Sequence, residues 1–366
     1  MISVFGSKIG LEELEEIRSS LENQWMGIGP KTARFEEEFR NRLGLTQFTL
    51  VNSGSNALVM AMKILDLPPG SEVVLPAFTW VSCAHAVVLA GHKPVFCDVD
   101  LETHNITRET VEPRINGETR AIMAVHYAGK PVRMETLRDF GLPLVEDAAH
   151  AVDSKLGNQY CGNMGDVGIY SFDAVKNLAM PEGGGITGKN KAVMEKTKLL
   201  RYCGIGKSGF ESALSKPERW WEYNIIDICP KFIPNDVCAS VGLVQLKKLD
   251  EHQAYRKRIW DTYQAEFGKL DWLATPKGPE PDEQHSYFTY CIRLRTRNRD
   301  KLAKHLLDKG IYTTLRYHPL HLNPIFKSSV KLPNCEHLNE TALNLPIHPN
   351  LTDADVSHIV ESVKAF

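Results

Sequence analysis

Nowhere do apolar residues in this sequence run on for the roughly 20 positions that a membrane-spanning helix needs, so no transmembrane segment is expected. Charge of one sign is not in excess either: 43 Lys and Arg stand against 45 Asp and Glu, a formal net charge of −2. That balance gives no sequence-wide electrostatic case for nucleic acid or an anionic membrane, and it favours a small-molecule partner. The eight cysteines (Cys83, Cys97, Cys161, Cys203, Cys229, Cys238, Cys291, Cys335) are scattered singly without a CxxC pair, and Met1-Ile2-Ser3-Val4 does not open a secretory signal. Reduced thiols and a cytoplasmic location are expected, rather than a disulfide framework or a zinc site. Asn105-Ile106-Thr107 is then a chance sequon. Internal repeats and low-complexity tracts are also lacking.

What is present begins with length. At 366 residues the chain exceeds the size at which one core keeps growing, so two domains in one compact body are expected. Short apolar runs at 48–51, 72–75, 94–96, 121–125, 142–145 and 167–170 alternate with helical patterns, which predicts a mainly parallel α/β sheet with helices on both faces. Ligands then gather at the carboxyl ends of the strands. A long helical pattern runs from about 237 to 267, followed by the proline-rich Thr275-Pro276-Lys277-Gly278-Pro279-Glu280-Pro281. A strand at 290–294 and helices at 300–309 and 352–365 predict a smaller α+β domain. The expected division is a large domain over 1–250 and a C-terminal domain over 251–366.

Four features carry chemistry. Lys176 follows the strand-like Ile169-Tyr170-Ser171-Phe172 and precedes the turn Glu182-Gly183-Gly184-Gly185, which sets an amine where a buried strand meets a glycine turn. Leu144-Val145-Glu146-Asp147-Ala148-Ala149-His150 delivers an acid, Asp147, at the end of an apolar run. Asn52-Ser53-Gly54-Ser55-Asn56 joins a strand to a helix and offers free N–H groups and hydroxyls, the means of holding a phosphate at a helix N-terminus. Pro76-Ala77-Phe78-Thr79-Trp80 sets a large ring after a strand, where it could stack on a planar heterocycle. Taken singly, each has a plainer reading: an N-cap serine, a core tryptophan, a capping aspartate, a lysine whose stem lies along apolar surface with its ammonium in water.

Taken in order, the four resemble the fold-type I pyridoxal-phosphate enzymes. More narrowly, the chain resembles the DegT/DnrJ/EryC1/StrS family of sugar aminotransferases nearly end to end. The marks are Trp25-Met26-Gly27-Ile28-Gly29-Pro30; Ser53-Gly54-Ser55; Pro76-Ala77-Phe78-Thr79-Trp80; Glu146-Asp147-Ala148-Ala149-His150-Ala151; Ser171-Phe172-Asp173-Ala174-Val175-Lys176-Asn177-Leu178; Glu182-Gly183-Gly184; Asn235-Asp236; and Pro319-Leu320-His321. The resemblance implies pyridoxal 5'-phosphate held covalently by Lys176, with Asp147 on its ring nitrogen, Trp80 stacked on its ring and His150 near its phenolic oxygen. Ser55, Asn56 and Ser171 are the implied phosphate ligands, and Lys231 the implied contact across a homodimer interface. Around Lys231 the pattern departs from the family, with Pro234 in place of a basic residue and Cys229-Pro230 in place of a Gly-aromatic pair. Gly29, Arg316, His318 and His321 are the substrate-side candidates. The implied reaction moves an amine from glutamate to a keto sugar, most readily a nucleotide-linked keto-deoxysugar destined for a surface polysaccharide, such as lipopolysaccharide, or an antibiotic. Family members that instead dehydrate a sugar carry histidine where Lys176 stands, and a sensor protein that keeps the cofactor without turnover is the alternative outside enzymes.

Other motifs lead elsewhere or nowhere. Gly183-Gly184-Gly185-Ile186-Thr187-Gly188-Lys189 fits G-x-x-x-x-G-K, but Asn190 stands where a nucleotide loop needs Ser or Thr for magnesium. His318-Pro319-Leu320-His321 lacks the helical spacing and companion ligands of a metal site. Arg201, Arg219, Arg316 and Lys207 are candidates for a diphosphate or a carboxylate, because cationic forks suit both. Trp220-Trp221 reads equally as a base-stacking or dimer-contact element or as buried core.

Overall fold

The structure is a computed structural model describing residues 1–205, 219, 221–296 and 298–366; Lys207 and Trp220 lie outside the described residues. The first nine strands are β1 (Phe48–Val51), β2 (Glu72–Pro76), β3 (Lys93–Cys97), β4 (Thr119–Val125), β5 (Leu144–Asp147), β6 (Lys155–Leu156), β7 (Gln159–Tyr160), β8 (Val167–Ser171) and β9 (Gly184–Gly188). Seven of them form one sheet in the order β1-β9-β8-β5-β4-β2-β3. The pairs β2–β3, β2–β4, β4–β5 and β5–β8 are parallel, and β9 runs against both of its neighbours, so the mainly parallel α/β sheet expected from the sequence is present. β5, β8 and β9 are buried along their whole length, as strands covered by helices on both faces must be.

β9 is the strand that the sequence hides, since a glycine run reads as a turn. Its glycines are there for clearance: a Cβ on Gly184 would lie 2.2 Å from the Ser53 carbonyl carbon, and one on Gly185 would lie 2.2 Å from the Phe48 ring. The register then sets Gly184 opposite both Val51 of β1 and Ser171 of β8. In this way the turn after β1 and the end of β8 come together at one edge of the sheet. Phe35 and Phe39 of the helix Pro30–Arg42 pack edge-on against Phe172 at 5.3 and 5.2 Å and close the core beneath that edge. Burying each such ring contributes about 1.5–3 kcal/mol.

Beyond the large sheet, β10 (Leu273–Ala274), β12 (Tyr290–Leu294) and β13 (Ala342–Leu345) form a small antiparallel sheet, while β11 (Glu283–Gln284) pairs with β6. β10, β13 and the helix Pro333–Thr341 add to the single strand and two helices read from the sequence; the strands are only two and four residues long, too short to show a period. Among the described residues, buried apolar side chains form two clusters. The 32-residue helix Asp236–Phe267 spans both, giving Leu243, Leu246 and Leu249 to the first and Ile259, Trp260, Tyr263 and Phe267 to the second. Where it passes from one to the other, buried Arg256 donates to the Ile347 carbonyl at 2.7 Å, and burial lowers its guanidinium to about 9. The chain start is strapped to the second cluster: Ile2 N–H donates to the Gly310 carbonyl at 2.7 Å, and the Ile2 carbonyl accepts from Tyr312 N–H at 2.9 Å.

Candidate active site

A cavity of about 470 Å³ opens at the carboxyl edge of the large sheet. Ser55, Trp80, Asp147, His150, Ser171, Lys176 and Arg316, all singled out from the sequence, line it. Asn56, Lys231, Gly29, His318 and His321 are not among its lining residues.

One wall is the turn after β1. Ser53 caps the helix Gly54–Ile64, its hydroxyl accepting from Asn56 N–H at 3.2 Å, and the Ser55 hydroxyl lies 2.7 Å from that of Ser82. Asn56 turns its amide to Asn52 Oδ1 at 2.8 Å. Gly54 is required: a Cβ there would sit 2.6 Å from that of Ser171. The result is a narrow cradle of hydroxyls and a helix N-terminus, suited to an anion.

The floor is the end of β5. Asp147 is buried; one carboxylate oxygen accepts from Ala149 N–H at 2.9 Å, and the other accepts from the Cys83 thiol at 3.1 Å. Burial, with Asp147 adding to it, pushes the Cys83 thiol up and keeps it a neutral donor. Beneath, Glu146 points the other way into the core. Val132 N–H donates to His126 Nδ1 at 3.0 Å, so His126 carries its proton on Nε2 and gives it to Glu146 at 2.9 Å. Glu146 also accepts from the N–H groups of Gly162 (2.8 Å), Met164 (2.6 Å) and Gly165, which fixes the strand that presents Asp147.

Lys176 reaches into the cavity with its ammonium 4.9 Å from the Phe288 ring centroid. Burial, reinforced by the charge of Arg316, lowers its amine from 10.5 to about 8, against the opposing pull of Asp147 and Asp173. His150 stacks on Phe288 at 4.1 Å and holds the Tyr317 hydroxyl at 2.9 Å. Burial and the charges of Lys176 and Arg316 hold it well below the usual histidine range, so it is neutral, and its Nδ1 is buried without a hydrogen-bond partner among the described residues. Trp80 is 55% exposed at the mouth, with its ring 5.6 Å from that of Tyr317, leaving much of its surface uncovered.

The remaining candidates sit elsewhere. Gly29 N–H donates to Asp236 at 3.0 Å, and a Cβ there would lie 2.5 Å from that carboxylate. Exposed Lys231 is 5.9 Å from the Tyr202 ring, outside the cavity of its own chain. His318 is exposed and contacts Asn339 at 2.9 Å; buried His321 faces Glu336 at 3.5 Å, and the described residues hold no cluster of metal-binding groups. Arg201 is bound to Glu36 at 2.7 Å and the Leu50 carbonyl at 3.0 Å, and Arg219 pairs with Glu222 at 2.8 Å on the surface. Trp221 is 55% exposed. Phe5, Cys83 and Tyr317 were missed by sequence reasoning. Tyr317 adjoins Arg316 and was within reach of it, whereas nothing near Phe5 in the sequence signals the cavity.

The model of the DegT/DnrJ/EryC1/StrS aminotransferase family matches residues 7–364. The chain is 38% identical to dTDP-4-dehydro-2,3,6-trideoxy-D-glucose 4-aminotransferase of Saccharopolyspora spinosa over 368 residues, covering 99% of this chain and 95% of that one. Among solved structures, the aminotransferase TlmJ from Streptoalloteichus hindustanus superposes with a TM-score of 0.94 at 36% identity, over 100% of this chain and 98% of that one. The PLP-form of Spr1654 from Streptococcus pneumoniae, described as a sugar aminotransferase, superposes with a TM-score of 0.90 at 26% identity, over 99% and 97%.

Proposed function

The chain belongs to the DegT/DnrJ/EryC1/StrS aminotransferase family and is a pyridoxal-phosphate-dependent sugar aminotransferase with the fold-type I architecture; from that premise we propose that it takes its amine from glutamate and delivers it to a nucleotide-linked keto-deoxysugar. The observation that carries this reading is one cavity holding a buried amine lowered to about 8, a buried carboxylate and an anion cradle. The cofactor fits these residues. Ser55 and Ser171, with the helix N-terminus after Ser53, would take its phosphate. Asp147 would face its ring nitrogen, the uncovered Trp80 would lie along its ring, and the unpartnered side of His150 would meet a polar group. When bound, pyridoxal phosphate supplies a carbonyl carbon to which amines attach and a conjugated ring that accepts electrons from the bond broken at the substrate carbon.

The residues of the chain supply the rest. Asp147, which accepts from the Ala149 N–H and the Cys83 thiol, would face the ring nitrogen and hold a proton there. Lys176 would anchor the cofactor and would also move the proton at the substrate carbon; an amine near 8 both accepts and returns a proton close to neutral pH. Arg316 is the cavity's cation for the donor carboxylate. Two further readings complete the proposal. The enzyme acts as a homodimer in which Lys231 of each subunit serves the site of the other, which accords with its exposed position outside its own cavity. It works in the cytoplasm, which accords with eight free thiols and with the lack, among the described residues, of a helix long and apolar enough to cross a membrane.

The test is turnover of the reconstituted enzyme with glutamate and a dTDP-linked 4-keto-deoxysugar, following 2-oxoglutarate release and the mass of the aminated sugar. Release of 2-oxoglutarate matched by an aminated nucleotide sugar is expected. Turnover with another amino acid in place of glutamate would sink the donor assignment; amination of free keto sugars alone would sink the nucleotide linkage.

A further inference from the structure

Arg316 is held in an unusual way for a cavity cation. It is only 8% exposed, yet among the described residues no ion pair includes its guanidinium, whose polar contact is the Tyr317 hydroxyl. What surrounds it is aromatic. Its central carbon lies 3.7 Å from the Phe5 ring centroid, 5.0 Å from that of Phe288 and 5.7 Å from that of Tyr317, and one N–H reaches the Tyr317 hydroxyl at 3.3 Å. Aromatic faces attract a guanidinium without using its N–H donors, so the group is fixed in plane while its fork stays free for a carboxylate.

Phe5, the nearest of these rings, comes from the far end of the chain and is placed by many contacts. Ile2 is bonded to Gly310 and Tyr312, the Ser3 carbonyl is 3.0 Å from His348 Nε2, and Val4 is buried. Gly6 lets the chain pass His348, since a Cβ there would lie 2.7 Å from the ring nitrogen Nδ1, and the Ser7 carbonyl accepts from Asn350 at 2.6 Å. We propose that Phe5 is a positioning residue for the amino donor: the N-terminal strap presses its ring on Arg316 and holds the guanidinium in the orientation that captures the donor carboxylate. This rests on the reading that Arg316 grips that carboxylate. Phe5 forms no bond to the reacting atoms and acts through Arg316.

The experiment is the half-reaction of holoenzyme with glutamate, followed by loss of the visible cofactor band, for wild type, Arg316→Gln, Phe5→Leu and Phe5→Tyr. Arg316→Gln should raise the half-saturating glutamate concentration on the order of 100-fold. Phe5→Leu should raise it about five- to tenfold, with the rate at saturation nearly unchanged, and Phe5→Tyr, which keeps an aromatic face, should restore it. An unchanged half-saturation in Arg316→Gln overturns the donor reading itself. A raised value in Arg316→Gln with none in Phe5→Leu overturns the role of Phe5 alone. Loss of the cofactor band or of folding in Phe5→Leu, unrescued by tyrosine, makes Phe5 merely structural and overturns it too.

Discussion

The lowered amine of Lys176 makes a quantitative prediction about how the apoprotein takes up its cofactor. Attachment to a carbonyl needs the neutral amine. With a pKa of about 8, about one lysine in eleven is neutral at pH 7; at the ordinary 10.5 it would be about one in three thousand, so burial and Arg316 together provide roughly 300-fold more nucleophile. Growth of the visible band after apoprotein is mixed with pyridoxal phosphate should therefore speed up about elevenfold between pH 7 and 10, and nearly all of that gain should be in place by pH 9. An unperturbed lysine would keep accelerating, by about 800-fold over the same range. Arg316→Gln removes a positive charge and so must raise the midpoint, but not back to 10.5, because burial is the larger cause. A wild-type rate still climbing steeply at pH 10 would refute the burial argument. A midpoint that falls in Arg316→Gln would refute the electrostatic one.

Three further outcomes follow from the site. Asp147→Ala should form the visible band yet slow the glutamate half-reaction by on the order of 10²–10⁴-fold, measured by single-turnover absorbance, because the buried carboxylate at the end of β5 that would hold the ring proton is gone. Glu146→Leu should lower the unfolding free energy by about 3–5 kcal/mol in urea titration, since His126 and three N–H groups lose a fully buried acceptor; a loss below about 1 kcal/mol would mean that the core relaxes around it. Gly54→Ala drives a Cβ to 2.6 Å from that of Ser171 and should weaken cofactor binding about ten- to a hundredfold, whereas Gly10→Ala, with nothing within 4 Å, should leave the affinity as it is.

Much of the cavity was legible in the sequence because its parts sit where strands end, and strand ends are marked by a change from apolar runs to Asp147, Ser53-Gly54-Ser55 and Trp80. What escaped was whatever depends on distant pairing. The glycines of β9 read as a turn because their reason for being there, clearance for Ser53 and Phe48, lies more than 100 residues upstream. Arg201 reads as one of four candidates for an anion, and only the fold reveals Glu36 beside it. Gly29 stands in a family motif, and the fold shows the Asp236 carboxylate packed where its Cβ would go. Phe5 belongs to no pattern at all; it reaches the cavity because Ile2 pairs with residues some 310 positions along the chain.

Whether Lys176 anchors the cofactor, and whether the amine comes from glutamate, can be read from the visible spectrum of the reconstituted protein before and after glutamate, with Lys176→Ala beside it. The wild-type band should fade as the bound cofactor takes up the amine, with one 2-oxoglutarate released per site, while the variant should never form that band from pyridoxal phosphate alone. A variant that forms the same band and passes the amine on at the wild-type rate would show that Lys176 is not the anchor.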